Sequence, residues 1–273
     1  MTKTYAVIGD PIDHSLSPSI HNAAFKATGL DCTYIAYRIP RGELEAGIES
    51  LKRIKISGFN VTIPHKIEMM KFLDESSQEC KTIGATNTVT NDDGKLIGYN
   101  TDMDGFLEPI KKRKIPISGQ TVLLLGAGGA ARAIVAGFAK EKAQKITIAN
   151  RTLQKAEDLA KFASSLGLES DAVLLSNAAD VVPKCKFVVN ATSAGLGGEP
   201  SPIPTDMISS EHIVYDIVYM PMNTDLIMQS KKNSAAVIYG YEMLLGQACL
   251  AFEIWHKIPA PYDAMKKVLL GGF

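Results

Sequence analysis

The chain lacks an excess of charge of either sign. Lys plus Arg and Asp plus Glu each total 29, so nothing global draws it to nucleic acid or to an acidic membrane surface. Whatever it recognises must be recognised locally. Long apolar runs are also missing: 46% of the residues are apolar, yet charged or strongly polar residues interrupt every run before it could span a bilayer. Cysteine is sparse. Cys32, Cys80, Cys185 and Cys249 are widely separated and form no C-x-x-C pair, which argues against a zinc site or a disulfide framework and leaves core thiols. The five histidines show no H-E-x-x-H or other ligand spacing, so no metal is expected. The opening MTKTYAVIGDP goes almost directly into a strand pattern without the apolar core of a secretory leader, and the expected location is the cytoplasm. There is no internal repeat and no low-complexity tract.

What is present is an alternation of short apolar runs and helical-period segments, the pattern of an α/β protein. At 273 residues two modest domains are expected. In the first, Tyr5–Ile8, Tyr34–Tyr37 and Phe59–Thr62 read as strands. Thr86–Thr90, the turn cluster Asn91–Gly94 and Lys95–Tyr99 read as a hairpin. A basic stretch, Lys111–Pro116, reads as an exposed connection to the next block. From Gln120 six apolar runs follow: Thr121–Leu125, Lys145–Ala149, Ala172–Leu175, Phe187–Val189, Ile213–Val218 and Ala236–Tyr239. They suit a doubly wound parallel sheet of the Rossmann type. Glu242–Lys257 and Asp263–Leu270 read as helices that cannot extend that sheet and are free to pack back onto the first domain.

Gly126-Ala127-Gly128-Gly129-Ala130-Ala131 follows an apolar strand and opens a helical segment over Ala130–Lys140. This is the dinucleotide fingerprint in its G-x-G-x-x-A form. Gly126 permits the tight turn, Gly128 lets backbone approach a pyrophosphate, and small Ala131 allows close helix-to-strand packing. At the end of the next strand, where NAD enzymes carry an acidic residue, stand Asn150, Arg151 and Thr152. A guanidinium there matches the 2′-phosphate of NADP, with the Thr152 hydroxyl and Lys155 in support. A helix cap followed by solvated charges is the competing structural reading, and Asn150 or Thr152 can serve as the cap.

Lys66 ends the stretch NVTIPHK, where a strand is expected to give way to a helix. A lysine in a first helical turn lies against the positive end of the dipole, and partial burial disfavours its charge further. Its pKa is therefore expected to fall toward working pH, as a proton shuttle requires. Asp102 is ambiguous: it can cap the helix from Met103 or lie beside Lys66, and taken alone the cap is favoured. Ser17 before Pro18 reads as an N-cap, whereas Ser15 lacks that explanation. Two hydroxyls with free helix N-terminal amides also suit a carboxylate.

SLSPSIHN at 15–22, GFNVTIPHK at 58–66, GATNTV at 84–89, NTDMDG at 100–105, GAGGAAR at 126–132, NRT at 150–152, NATSAG at 190–195 and YEMLLGQA at 241–248 together resemble the shikimate dehydrogenase family, across essentially the whole chain and in the family's order. The resemblance implies NADPH-dependent, reversible reduction of 3-dehydroshikimate to shikimate on the chorismate route to aromatic amino acids. It implies a substrate domain over 1–102 rejoined by 241–273, and an NADP-binding Rossmann domain over 103–240. It places Ser15 and Ser17 on the substrate carboxylate with Tyr219 close by, and Asn60, Thr62, Asn87, Asp102 and Gln247 around its hydroxyls. Lys66 and Asp102 are the implied catalytic pair. Gly126 to Ala130, Asn150, Arg151, Thr152 and Lys155 would hold NADP(H), with Thr192, Ser193, Gly240 and Met243 along its nicotinamide half. The only partner expected is a small-molecule substrate, in a monomer or homodimer.

Rival readings are weaker. Tyr262 and Lys266 match the Y-x-x-x-K pair of short-chain dehydrogenases but lie past the sheet. A quinate dehydrogenase of the same superfamily often uses NAD, which Arg151 disfavours. A glutamyl-tRNA reductase would need a nucleophilic cysteine, and Cys32 has no such context. A non-catalytic sensor on the same fold would have no need of Lys66 and Asp102.

Overall fold

The computed structural model describes residues 2–271. The chain divides into two compact units. One takes the N-terminal chain up to Gly105 and resumes at Leu245, and the other runs from Phe106 to Leu244.

The first unit is built on β1 (Lys3–Gly9), α1 (Ser17–Thr28), β2 (Cys32–Arg38), α2 (Leu44–Arg53), β3 (Gly58–Val61), β4 (Glu75–Ser76), α3 (Gln78–Ile83), β5 (Thr88–Asp92) and β6 (Lys95–Tyr99). Its sheet has the order β2-β1-β3-β5-β6-β4. β1 pairs in parallel with β2 and β3, and β5 runs antiparallel to β3 and β6. The hairpin between β5 and β6 is as expected from its turn residues: Asp93 and Gly94 both take positive φ, 48° and 95°, the requirement of a two-residue turn that follows strand twist. One face of the sheet buries Ala6, Ile8, Phe59, Val61 and Val89 against Ile48 and Leu51 of α2 and Met69. Sequence periodicity did not disclose β4 or the 3-10 turn Glu68–Phe72, both too short to carry a period.

The chain continues through α4 (Asp102–Lys112), β7 (Thr121–Leu125), α5 (Gly129–Lys140), β8 (Lys145–Asn150), α6 (Leu153–Ser165), β9 (Glu169–Leu174), β10 (Phe187–Asn190), β11 (Ile213–Asp216), α7 (Asp225–Lys232), β12 (Ala236–Tyr239), α8 (Gly240–His256) and α9 (Tyr262–Gly271). The second sheet is wholly parallel with order β12-β11-β10-β7-β8-β9, the doubly wound arrangement anticipated from its six apolar runs. Its central strands are buried almost residue for residue, which is why they read as continuous rather than alternating apolar runs. The basic stretch from Lys111 is not a linker between units. It closes α4, turns at Lys114 (φ 54°), and is held by a two-pronged ion pair of Arg113 with Glu242 at 2.8 and 3.0 Å. The divisions between units fall inside α4 and α8 rather than at their starts. Among the described residues no helix is long and apolar enough to cross a membrane.

Candidate active site

Lys66 lies in a turn and not in a helix. After β3 the chain turns through residues 62–67, and the buried His65 anchors that turn: its backbone amide donates to Thr62 O at 2.9 Å, and its Nε2 lies 2.7 Å from Ile39 O. The Lys66 carbonyl in turn accepts from Thr86 N at 2.9 Å. The 3-10 turn begins only at Glu68, so the helix-dipole argument for this lysine loses its helix. A carboxylate holds it instead. Lys66 Nζ donates to Asp102 Oδ2 at 2.5 Å, with the two side chains only 13% and 6% exposed.

Asp102 opens α4, and its own amide donates to Asn100 Oδ1 at 3.1 Å. Its second carboxylate oxygen accepts from Asn87 Nδ2 at 2.9 Å. The carboxylate is thus committed to Lys66 and Asn87, and the capping reading gives way to the charge-partner reading. Asn87 is itself fixed on both sides: Oδ1 accepts from Thr101 N at 2.7 Å, while Nδ2 reaches Thr101 Oγ1 at 2.9 Å and Gln247 Oε1 at 3.4 Å. Asn60 lies beneath this group. Its Nδ2 donates to Asn87 O and Thr88 Oγ1, both at 3.0 Å, and its Oδ1 accepts the Tyr34 hydroxyl at 2.6 Å. Gln247 rests on Gly105, where a Cβ would stand 2.6 Å from Gln247 N. Thr62 is packed as closely on Gly9.

Ser15 and Ser17 stand at the start of α1, and Ser17 is not the N-cap that its place before Pro18 suggests. Leu16 occupies the N-cap position without a capping side chain, and Ser17 is the first helical residue. The Ser15 hydroxyl accepts from Ser17 N at 3.3 Å. Ser15 is therefore the serine that meets a helix amide. Ser17 is 7% exposed.

In the second unit the strand register sets a row of residues across the sheet: Tyr239, Asp216, Asn190, Leu125 and Ala149 are successive neighbours. The segments carrying Gly126, Asn150, Thr192, Tyr219 and Gly240 all leave the sheet beside that row, at the carboxyl ends of parallel strands. Dinucleotides bind at this edge, where strand order reverses, here between β7 and β10. Gly126 has φ 102°, and a Cβ there would come 2.8 Å from Ala191 O, so only glycine fits. Gly128 has open space where a Cβ would project, and α5 behind it has no capping side chain. Ala131 is fully buried. A helix start with no capping side chain, behind an open glycine, suits a pyrophosphate.

Arg151, Thr152 and Lys155 are exposed where β8 gives way to α6. Thr152 takes the N-cap position of α6 without a side-chain cap bond, and Asn150 Nδ2 donates to Thr152 O at 2.9 Å. The Arg151 and Lys155 charges are open to a second phosphate, so the residues present fit NADP. Gly240 allows close approach to the Ile217 carbonyl, 2.4 Å from a Cβ there. Met243 is buried on α8. Tyr219 is half-buried after β11, and burial raises its hydroxyl pKa. Lys66, Asp102, Asn87, Asn60 and Gln247 thus meet in the first unit, and the fingerprint, Arg151, Thr192, Tyr219 and Gly240 gather at one sheet edge in the second. Sequence reasoning passed over Asp216 and met Asn190 only as the opening of NATSAG; both sit buried in the middle of that edge.

The matches to known proteins follow the same division. Residues 7–89 match the shikimate dehydrogenase substrate binding domain, residues 109–197 match shikimate / quinate 5-dehydrogenase, and residues 240–270 match the shikimate 5'-dehydrogenase C-terminal domain. The chain is 63% identical over its full length, and the full length of the relative, to shikimate dehydrogenase (NADP(+)) of Nitrosopumilus maritimus. The Thermus thermophilus shikimate 5-dehydrogenase solved with NADP(H) and shikimate superposes with a TM-score of 0.88 at 34% identity, covering 99% of this chain and 100% of that one. Quinate dehydrogenase of Corynebacterium glutamicum, solved with NAD, superposes with a TM-score of 0.91 at 27% identity, covering 99% of both. With its substrate-domain residues, its dinucleotide edge and a near two-thirds identical relative in agreement, this chain belongs to the shikimate dehydrogenase family.

Proposed function

We propose that the chain catalyses the reversible, NADPH-dependent reduction of 3-dehydroshikimate to shikimate, a step toward aromatic amino acids, and that it does so in the cytoplasm. The observation that carries the mechanism is the buried Lys66–Asp102 pair tied to Asn87. Bound NADPH supplies the hydride that the carbonyl carbon accepts. Lys66 Nζ gives a proton to the carbonyl oxygen, which becomes the hydroxyl of shikimate, and in the reverse direction it takes that proton back. Asp102, accepting from Lys66, keeps the ammonium aimed and compensates its charge away from water. Asn87 prevents the carboxylate from rotating, and Asn60 holds the strand beneath Asn87. Ser15 and Ser17 hold the substrate carboxylate at the start of α1.

Arg151 meets the 2′-phosphate of the cofactor, with Thr152 and Lys155 beside it. The paired serines and Arg151 favour shikimate with NADP over quinate with NAD. The test is an assay of purified protein with shikimate and quinate, each against NADP+ and NAD+. Shikimate with NADP+ should give the highest kcat/KM. Faster turnover of quinate, or equal use of NAD+, would refute the assignment.

A further inference from the structure

At the centre of the second unit's sheet edge lies a carboxylate to which nothing above gives a role. Asp216 ends β11 with 0% exposure. Among the described residues no cation pairs with it. Its oxygens instead receive three hydrogen bonds: Oδ1 from Asn190 Nδ2 at 2.9 Å and from Val218 N at 3.0 Å, and Oδ2 from the Thr224 hydroxyl at 2.6 Å. A buried carboxylate without a cation is costly, and burial raises its pKa against the opposing effect of those donors. An asparagine would carry no charge, but it could not accept from all three. Its NH2 would face one of them, and even turned toward the Thr224 hydroxyl, which accepts from Ile227 N at 3.2 Å, it would leave that hydroxyl's own proton without its acceptor. Three converging donors therefore favour a carboxylate, the one side chain here that accepts from all of them.

Each donor belongs to a different segment. Asn190 passes the restraint on, because its Oδ1 accepts from Thr192 N at 3.0 Å and from the Thr192 hydroxyl at 2.7 Å. Its Nδ2 also donates to Ala194 O at 3.0 Å, and Thr192 Oγ1 accepts from Ala194 N at 3.0 Å. The loop so tied is the one whose Ala191 carbonyl backs Gly126. Val218 leads directly to Tyr219, and Thr224 caps α7. One buried charge therefore fixes the Thr192–Ser193 loop, the glycine-rich turn behind it and the start of the Tyr219 segment. We propose that Asp216 is a positioning residue for the dehydrogenase reaction, setting the Thr192–Ser193 cofactor loop in register with Tyr219 through Asn190. The proposal rests on the functional reading above.

The test compares Asp216→Asn with Thr224→Val, which removes one donor and the α7 cap but leaves the Asn190 branch intact. NADP+ affinity is measured by direct titration, and kcat and KM in steady state, well below each variant's Tm. Asp216→Asn should weaken NADP+ about tenfold and lower kcat by at least about as much. Thr224→Val should lower Tm while leaving both within about threefold. Should Asp216→Asn fail to fold, Asn190→Asp serves in its place. It sets a second carboxylate against the first, and the hydrogen bond between them returns only with a shared proton. Relative to wild type, its NADP+ affinity should then fall as pH rises. Wild-type-like binding and turnover in Asp216→Asn, losses in Thr224→Val equal to those in Asp216→Asn, or a flat pH response in Asn190→Asp would each overturn the proposal. Because the titration needs no turnover, an error in the assigned substrate would show as an inactive wild type that still binds NADP+, separately from any effect at Asp216.

Discussion

In the first unit the candidate site is made of side chains. Lys66, Asp102, Asn87, Asn60 and Gln247 hold one another through hydrogen bonds of 2.5 to 3.4 Å. In the second unit the corresponding surface is made largely of backbone: glycines where a Cβ would collide or where it would fill open space, and a helix start without a capping side chain. A site of the first kind depends on which atom donates and which accepts, so an isosteric change can disable it. A site of the second kind depends on volume and backbone torsion, so adding one methyl group can disable it. The distinction predicts different mutational signatures for the two halves of one reaction.

The largest contrast should come from Lys66→Gln, which retains an amide donor for Asp102 but no transferable proton. We expect kcat to fall about 10²–10⁴-fold with a smaller change in KM. The melting temperature should stay close to wild type, whereas Lys66→Ala would strand a buried carboxylate and destabilise as well. Near-normal kcat in Lys66→Gln would remove the lysine from the mechanism.

Acid should also affect the first unit, by a route unrelated to catalysis. His21 is fully buried, stacks on Tyr34 at 4.5 Å, and among the described residues neither ring nitrogen has a hydrogen-bond partner. Burial, and then the neighbouring His256, lower its pKa from 6.5 to about 3. Below the unfolded value the unfolded chain binds a proton that the folded chain refuses. The stability due to the neutral imidazole is therefore complete above pH 6.5 and lost as pH falls toward 3. The slope approaches about 1.4 kcal/mol per pH unit for such a group. Urea midpoints measured from pH 7 to pH 4 should fall, and His21→Phe should flatten the fall. An unchanged slope in that variant would assign acid sensitivity elsewhere.

Two glycine substitutions two residues apart would sharpen the backbone half of the comparison. Gly126→Ala forces φ 102° and a 2.8 Å approach to Ala191 O, and should destabilise by about 1–3 kcal/mol. Gly128→Ala meets nothing and should leave the melting temperature unchanged while weakening NADP+, since its methyl group would occupy the space proposed for the pyrophosphate. If Gly128→Ala binds NADP+ normally, the pyrophosphate lies elsewhere. The smallest effect is expected at Arg151, whose exposure allows water and salt to screen it. Arg151→Ala should weaken NADP+ by about 1–2 kcal/mol while sparing NAD+, and parallel titrations with both cofactors would show an equal loss if the reading is wrong.

Much of this was legible in the sequence where one residue type has one physical use. Gly126 and Gly128 were readable because turn geometry and close approach each admit little else, and the central parallel strands because burial on both faces leaves continuous apolar runs. Lys66 was found for a reason the structure does not sustain, since a helix was read where a turn leads into a 3-10 segment too short for periodicity to mark. Ser17 is not a cap because the helix begins one residue earlier than its proline suggested, which puts Leu16 at the N-cap. Asp216 was not legible at all, and Asn190 only as the opening residue of NATSAG, without its partner. Their meeting depends on the register of β10 against β11, and parallel pairing across a long connection leaves no local trace in composition or spacing.

The return of the C-terminal helices to the first unit has a consequence for the order in which the protein can be made. Tyr5, His21 and Phe25 find aromatic partners in Phe252, Trp255 and His256, and Trp255 donates to Val89 O at 3.0 Å. Those partners leave the ribosome after the whole of the second unit. The second unit is contiguous and can complete itself during synthesis. The first unit, although its larger part is translated before the second, keeps an uncovered aromatic face until Phe252, Trp255 and His256 have emerged. Of the two units, the one begun earlier is thus completed later, and the time between is when it is most exposed to aggregation and to chaperones.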